Sequence, residues 1–381
     1  MFNAVHDTFY AHHIPVFERK LKEKSSFKTG IVGNGNSARA LAAYLKSKDH
    51  QVSFLARSEE KLAFLGEERL LKAEGKIEGS FKIEAAYADA AAFTAACEVI
   101  FIATITGAYE EIAFRLAPFL NETQSIILFS SKLGGSLLFE TALKKAGAKL
   151  PRIIETDALF ACRIKEEENS IWIRGFKEWT LFSSAKRSQS EENSAFMKKF
   201  FPGLSPAVNV IERGLTDFGA VAHAAIALAN VNLISRKESF LFYYEGMTPE
   251  TIRLLEAVED EFRRLAFAYG SELIAMKDLL DRYYGCDNSS LYSAMTSVPN
   301  YRYSLGPDSL EHRFLHEDLC STLVPAHYLA QLAGIETPVI NGLVSIISAI
   351  TRKNLLAEGR NLTSLGLQQL SYKEVYAYVN S

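Results

Sequence analysis

Two groups of residues in this 381-residue chain have types and spacings suited to chemistry. The first is Gly33-Asn34-Gly35-Asn36-Ser37-Ala38, a GxGxxA run that follows the apolar stretch FKTGIVG at 27–33. At this spacing Gly33 makes a tight turn and Gly35 lets the backbone approach a pyrophosphate. Ala38 keeps the next helix close to the strand, with its N-terminus facing the phosphates. The run opens a predicted helix inside a βαβ unit, so these six residues are expected to bind a dinucleotide. The next strand ends Leu55-Ala56-Arg57-Ser58, with no acid before Glu59. An NAD site usually places Asp or Glu there to hold the ribose 2′-OH. Arg57 suits a 2′-phosphate and Ser58 can donate to it, so NADP is the expected cofactor, with NADPH preferred over NADH. The alternative is an exposed loop arginine with Glu59 reaching back to a ribose. Thr104 closes a further apolar strand and is expected at the carboxyl edge of the sheet, where open α/β folds bind ligands.

The second group centres on a histidine. Of eight histidines, His223 lies inside DFGAVAHAAIALANVNLIS, a largely apolar helical pattern. Asn230, seven residues later, falls on the same face. Polar side chains on a buried face need partners, and near neutral pH a histidine can supply the proton that accompanies a hydride. On the residues alone, a structural hydrogen-bonding histidine is the commoner reading. Asn230 either holds substrate or cofactor amide groups or bridges two helices.

These groups need a scaffold, and its class changes partway along the chain. FKTGIVG, HQVSFLARS, CEVIFIAT and SIILFSS read as short strands separated by helical segments, which predicts a parallel sheet. IRGFKEWTLFSSA reads as a hairpin with Gly175 at the turn, and PAVNVI as a last strand. Beyond about Ile211 the segments 217–236, 249–269, 271–284, 317–333 and 338–356 carry helical periodicity. The expected organisation is an N-terminal arm over 1–26, a doubly wound, mainly parallel α/β Rossmann domain over 27–212, and an all-α substrate domain over 213–381.

Composition excludes several classes. The net charge of −3 and the absence of like-charge blocks advertise no nucleic-acid or lipid surface. Cys97, Cys162, Cys286 and Cys320 form no CxxC pair, which argues against structural zinc and for a reducing compartment. Neither a signal peptide nor a membrane span is visible, so a cytoplasmic location is expected, with no bound metal.

The second half carries a further signal. ETDALFACR (155–163), VIERGLTDFGAVAHAAIALAN around His223, YYEGMTPETIRLLEAVEDEFRRLAFAYG from Tyr243, and HRFLHEDLCSTLVPAHYLAQLAGIETPVING (312–342) occur in an order and at spacings that resemble the opine dehydrogenases. This is the octopine/nopaline dehydrogenase family, including bacterial opine synthases, and the resemblance spans about residues 28–356. It implies reductive joining of an amino acid to a 2-oxo acid, with NAD(P)H delivering hydride to an imine carbon. It further implies that His223 is the acid/base group, that Asp318 orients it, and that Arg313 binds a substrate carboxylate. Taken without the resemblance, Asp318 reads as a helix N-cap and Arg313 as a surface ion pair with Glu311 or Glu317. Family members often carry proline after the histidine, where this chain has Ala224. The competing readings are a ketopantoate-reductase-like or 2-hydroxyacid dehydrogenase that needs no amine, and a non-enzymatic NADP(H) sensor. A homodimer is a further expectation.

Overall fold

The computed structural model describes residues 26–167 and 169–381. The arm read over 1–26 therefore lies outside the described residues, apart from Ser26. Short strands rich in Ile, Val and Phe form the first layer: β1 (Lys28–Val32), β2 (Gln51–Leu55), β5 (Ala85–Tyr87), β6 (Val99–Ile102), β7 (Ser125–Phe129), β8 (Arg152–Thr156), β11 (Thr180–Ser183) and β12 (Leu204–Pro206). They pair in the order β12-β11-β8-β7-β6-β1-β2-β5. All neighbours run parallel except β11 against β8. Every residue of β6 and β7 is buried, as central parallel strands covered on both faces require.

A second sheet, β4-β3-β10-β9, is built from β3 (Leu70–Gly75), β4 (Gly79–Lys82), β9 (Phe160–Lys165) and β10 (Ser170–Phe176). It corrects the expected hairpin around Gly175. β10 and β11 belong to different sheets, and Gly175 lies where the β10–β9 register shifts. A Cβ at Gly175 would come within 2.1 Å of the Asn300 amide, so glycine here admits a close approach rather than a turn. PAVNVI is corrected too. Asn209 accepts from the Ile211 and Glu212 N–H groups and so starts the helix Val210–Leu215.

From there on, among the described residues, helices dominate and the only bridging pair is Leu241 with Leu305. The main helices are Phe218–Ala229, Pro249–Ala268, Met276–Tyr284, Val324–Ala333 and Pro338–Thr351. The helix carrying His223 packs against Pro249–Ala268, with apolar residues buried nearly all round it. A Rossmann-type α/β layer followed by a helical domain is thus the architecture of the chain. Among the described residues no helix is long and apolar enough to cross a membrane.

Candidate active site

β1 delivers the GxGxxA run to the carboxyl edge of the sheet. Gly33 has φ +119°, and a Cβ there would meet the Ala103 carbonyl oxygen at 2.5 Å, so this turn requires glycine. A Cβ at Gly35 would meet nothing within 4 Å. The helix Asn36–Ser47 begins there with no side-chain cap and no acid in its first turn, leaving its N–H groups for an anion. Ala38 is fully buried against the strand. Asn34 donates to the Lys61 carbonyl and Asn36 accepts from the Ile164 N–H, so both asparagines shape the turn.

A cavity of about 500 Å³ opens over this turn, lined by Gly33, Asn34, Gly35, Asn36, Ser37, Arg57, Lys61 and Thr104 among others. Its backbone cradle and cationic rim fit a dinucleotide, whose pyrophosphate would be held at Gly35 and the helix N-terminus. Ser58 precedes the 3₁₀ turn Glu59–Leu65; neither it nor Glu59 lines the cavity. Arg57 does, with its guanidinium exposed and 2.7 Å from Glu111.

A second cavity of about 230 Å³ adjoins the first, and Asn36, Ser37, Ser130, Arg313 and Glu317 line both. His223 projects into it from the helix Phe218–Ala229. Its Nδ1 lies 2.6 Å from Asp318 Oδ2 and its Nε2 lies 2.8 Å from the Tyr243 hydroxyl. With Nδ1–H donating to the carboxylate, Nε2 carries the lone pair and accepts from the Tyr243 hydroxyl. The Phe314 ring stacks on the imidazole at 3.9 Å, and a Cβ at Gly219 would crowd it at 3.0 Å. Asp318 precedes a single π turn, Leu319–Leu323, but caps no helix end with its side chain. Its carboxylate faces His223 and Lys132 instead.

The segment carrying Arg313 and Asp318 is clasped to the end of β6. The Thr106 N–H donates to Glu317, and the Thr106 and Ser321 hydroxyls meet at 2.7 Å. His312 accepts from the Phe314 N–H and so shapes the turn that presents Arg313. Asn230 is not brought to this site. It ends the helix, and its amide donates to the carbonyls of Ile226 and Gly246, joining the helix end to a neighbouring loop. Position on the His223 face does not suffice, because the helix stops there and the side chain turns back to cap it.

Four residues that the sequence patterns did not mark complete the cavity wall. Lys132 bonds Asp217 at 2.7 Å and Asp318 at 2.6 Å. Burial disfavours its charge, but the two carboxylates hold its ammonium above the usual lysine range. Burial alone would push the Asp318 carboxyl up; Lys132 and His223 pull it below the ordinary carboxylate range. Tyr243 is buried, and this burial, reinforced by Asp318, pushes its phenol well above its ordinary value. Lys177 and Asp157 form a buried ion pair under the ring of Tyr283. Despite burial, Lys177 and Lys132 keep the Asp157 carboxyl below its usual 3.8.

A carboxylate with a depressed folded-state value contributes stability above its unfolded value and loses it as pH falls. The Asp157–Lys177 contribution is therefore complete above about pH 5 and fades on acidification through 3.8 and below. Asp157→Asn is expected to cost about 3–5 kcal/mol at neutral pH, since it leaves a buried ammonium unpaired. It should also flatten the acid side of a plot of urea midpoint against pH; an acid side as steep as that of the parent would refute this assignment.

The arrangement pairs a candidate cofactor cradle with a histidine–carboxylate contact, and both halves of the chain are similar to known proteins. Residues 206–351 match the family model of the NAD/NADP octopine/nopaline dehydrogenase alpha-helical domain, and residues 29–146 match that of ketopantoate reductase PanE/ApbA. An opine dehydrogenase of Arthrobacter sp. (strain 1C) is 28% identical over 346 residues, covering 90% of this chain and 95% of that protein. Octopine dehydrogenase, solved with NADH and L-arginine, superposes with a TM-score of 0.73 at 19% identity, over 93% of this chain and 98% of that one. Yersinopine dehydrogenase with NADP+ bound gives a TM-score of 0.69 at 16% identity, over 93% and 98% respectively. Those two structures share the fold and differ in the nicotinamide they hold. With one half matching the ketopantoate reductase model and carrying the GxGxxA turn, and the other matching the octopine/nopaline dehydrogenase helical domain and carrying His223, the chain is similar to the opine dehydrogenases along nearly its whole length and is an NAD(P)-dependent oxidoreductase of that type.

Proposed function

We propose that the protein joins the amino group of an amino acid to the keto carbon of a 2-oxo acid, with NADPH as the reductant and His223 as the group that moves the proton. The observation that carries this reading is the His223–Asp318 contact of 2.6 Å in a cavity that shares residues with the dinucleotide cradle. The amine attacks the keto carbon, water leaves, and the imine carbon then takes a hydride. When bound, the nicotinamide supplies that hydride. His223 Nε2 takes the proton that the attacking ammonium must lose, and returns one to the departing hydroxyl. Asp318 fixes the tautomer and stabilises the imidazolium between these transfers. Arg313, at the seam between the two cavities, receives the carboxylate of the oxo acid as a bidentate fork.

The preference for NADPH rests on the rim. Arg57 and Lys61 line the cradle, whereas Glu59 does not. Exchanging Glu111 for a 2′-phosphate costs Arg57 little, because an exposed ion pair is worth at most about 1 kcal/mol. Arg57→Ala is expected to lower kcat/KM for NADPH by about 10- to 100-fold, the weight of a charge-assisted hydrogen bond or two, with NADH little changed. Equal losses with both cofactors would remove Arg57 from phosphate recognition.

The test of the whole reading is oxidation of NADPH with pyruvate, 2-oxoglutarate or glyoxylate, each with and without a panel of amino acids. Turnover that needs both partners supports it. Turnover with an oxo acid alone would place the chain with simple ketoacid reductases, whose cofactor domain it shares.

A further inference from the structure

Lys132 lines this site and has no task in the proton-transfer scheme. It follows β7 in a loop where both Ser130, at φ +70°, and Lys132, at φ +64°, adopt the left-handed backbone conformation that side chains disfavour. The surroundings impose this conformation. Arg213 donates to the Lys132 carbonyl. Arg360 donates to the carbonyls of Ser131 at 3.0 Å and Leu133 at 2.8 Å. The Leu133 N–H donates to Ser321 at 3.1 Å. Both arginines are themselves buried. A strained loop pinned by three separate elements of the helical half is the kind of investment found at functional positions.

What the loop positions is an ammonium between two acids. Asp217 uses Oδ1 to cap the helix of His223, accepting from the Ala220 N–H at 3.3 Å, and gives Oδ2 to Lys132. Asp318 is divided likewise: Oδ1 lies 2.6 Å from Lys132, and Oδ2 lies 2.6 Å from His223. The carboxylate that steadies the imidazole is thus shared with a permanent cation, and the same cation is tied to the start of the helix that carries the imidazole.

We propose that Lys132 is a positioning residue of the reaction: by holding one oxygen of Asp318 it makes His223 release its proton more readily than a histidine with an aspartate to itself. This rests on the reading of His223 as the proton-transfer group. The charged and titratable groups facing His223 come from every element around it. Asp217 stands at the start of its own helix and Lys132 on the β7 loop. Tyr243 faces it from the loop beyond that helix, and His312, Arg313, Glu317 and Asp318 from the segment across the cavity. Asp217, Asp318 and Lys132 together carry one net negative charge; without Lys132 they carry two. Each unit of added negative charge at such range raises the proton affinity of an imidazole.

The test is a pH titration of the cofactor-free, full-length protein labelled with 15N-histidine, followed by NMR, with His223→Asn used to assign the resonance. Lys132→Met is expected to raise the His223 midpoint by about one pH unit or more, a tenfold change in proton affinity, and Lys132→Arg to restore the parent value. The double variant Lys132→Met/Asp217→Asn removes a charge pair as a unit and keeps an oxygen for the helix cap, which guards against misfolding of the single variant. Measured against Asp217→Asn alone, where Asp318 and Lys132 sum to zero, it carries one net negative charge and should show a rise of the same sign. A midpoint unchanged or lowered in the folded variants would overturn the proposal and leave Lys132 as a structural ion pair. The spectrum reads ionisation whether or not the enzyme turns over, so unchanged turnover in His223→Asn would fail the functional reading without obscuring this result.

Discussion

Replacing His223 by alanine is expected to lower kcat for the two-substrate reaction by about 10²- to 10⁴-fold, the range measured for loss of a positioned general acid–base. Binding of NADPH should survive, because the Gly33–Ser37 turn and its cavity rim are built from other elements. Asp318→Asn should move kcat in the same direction by a smaller factor. The amide keeps the shape of the carboxylate, but it no longer stabilises an imidazolium and it leaves Lys132 with Asp217 alone. Steady-state rates together with cofactor binding followed by nicotinamide fluorescence separate the two effects. Unchanged turnover in His223→Ala would end the acid–base assignment. Loss of NADPH binding in parallel with kcat would mean that the substitution had disturbed the interdomain cavity instead.

How far the sequence foretold this site depends on how each residue is presented. The GxGxxA turn was legible because its chemistry is backbone chemistry: a glycine at positive φ and a bare helix N-terminus are written directly into local residue types. His223 was legible as a polar residue inside an apolar helix. Asp318 and Arg313 came only through the family resemblance, since a short turn before a helix says nothing by itself about what lies across a cavity. Lys132 gave no signal. A lysine three residues after a strand ordinarily faces solvent, and what holds this one's loop inward is a set of backbone contacts with Arg213, Ser321 and Arg360, residues 81 to 228 positions further on. The fold divides in the same way. The central strands were readable as continuous apolar runs, whereas the second sheet includes short, largely exposed strands such as Gly79–Lys82, which periodicity cannot separate from loop. Asn230 is the reverse case, where the structure favours the bridging alternative. The helical wheel put it beside His223, but the helix ends at that residue and its amide is spent on carbonyl groups.

Arg313 carries the second large effect. Of the cations lining the substrate cavity, Lys132 is held by Asp217 and Asp318 and Lys177 by Asp157. Among the described residues no carboxylate lies within ion-pair distance of Arg313, whose guanidinium stands 5.7 Å from the Phe314 ring centroid. On the proposed reading an incoming oxo acid would meet one uncommitted fork, at the seam shared with the first cavity. Arg313→Met is expected to reduce kcat/KM for the oxo acid by about 10²- to 10³-fold, roughly 3–4 kcal/mol for a desolvated bidentate contact, while KM for the amino acid changes little. Arg313→Lys should recover only part of the loss, because an ammonium offers a point charge where the carboxylate expects two parallel donors. Initial rates varied in each substrate separately provide the measurement. A loss confined to the amino acid would exchange the two carboxylate positions, placing the amine donor at the seam and the oxo acid against the tyrosine wall formed by Tyr243, Tyr284 and Tyr301. No loss with either substrate would mean that the free charge at the seam serves the cofactor instead.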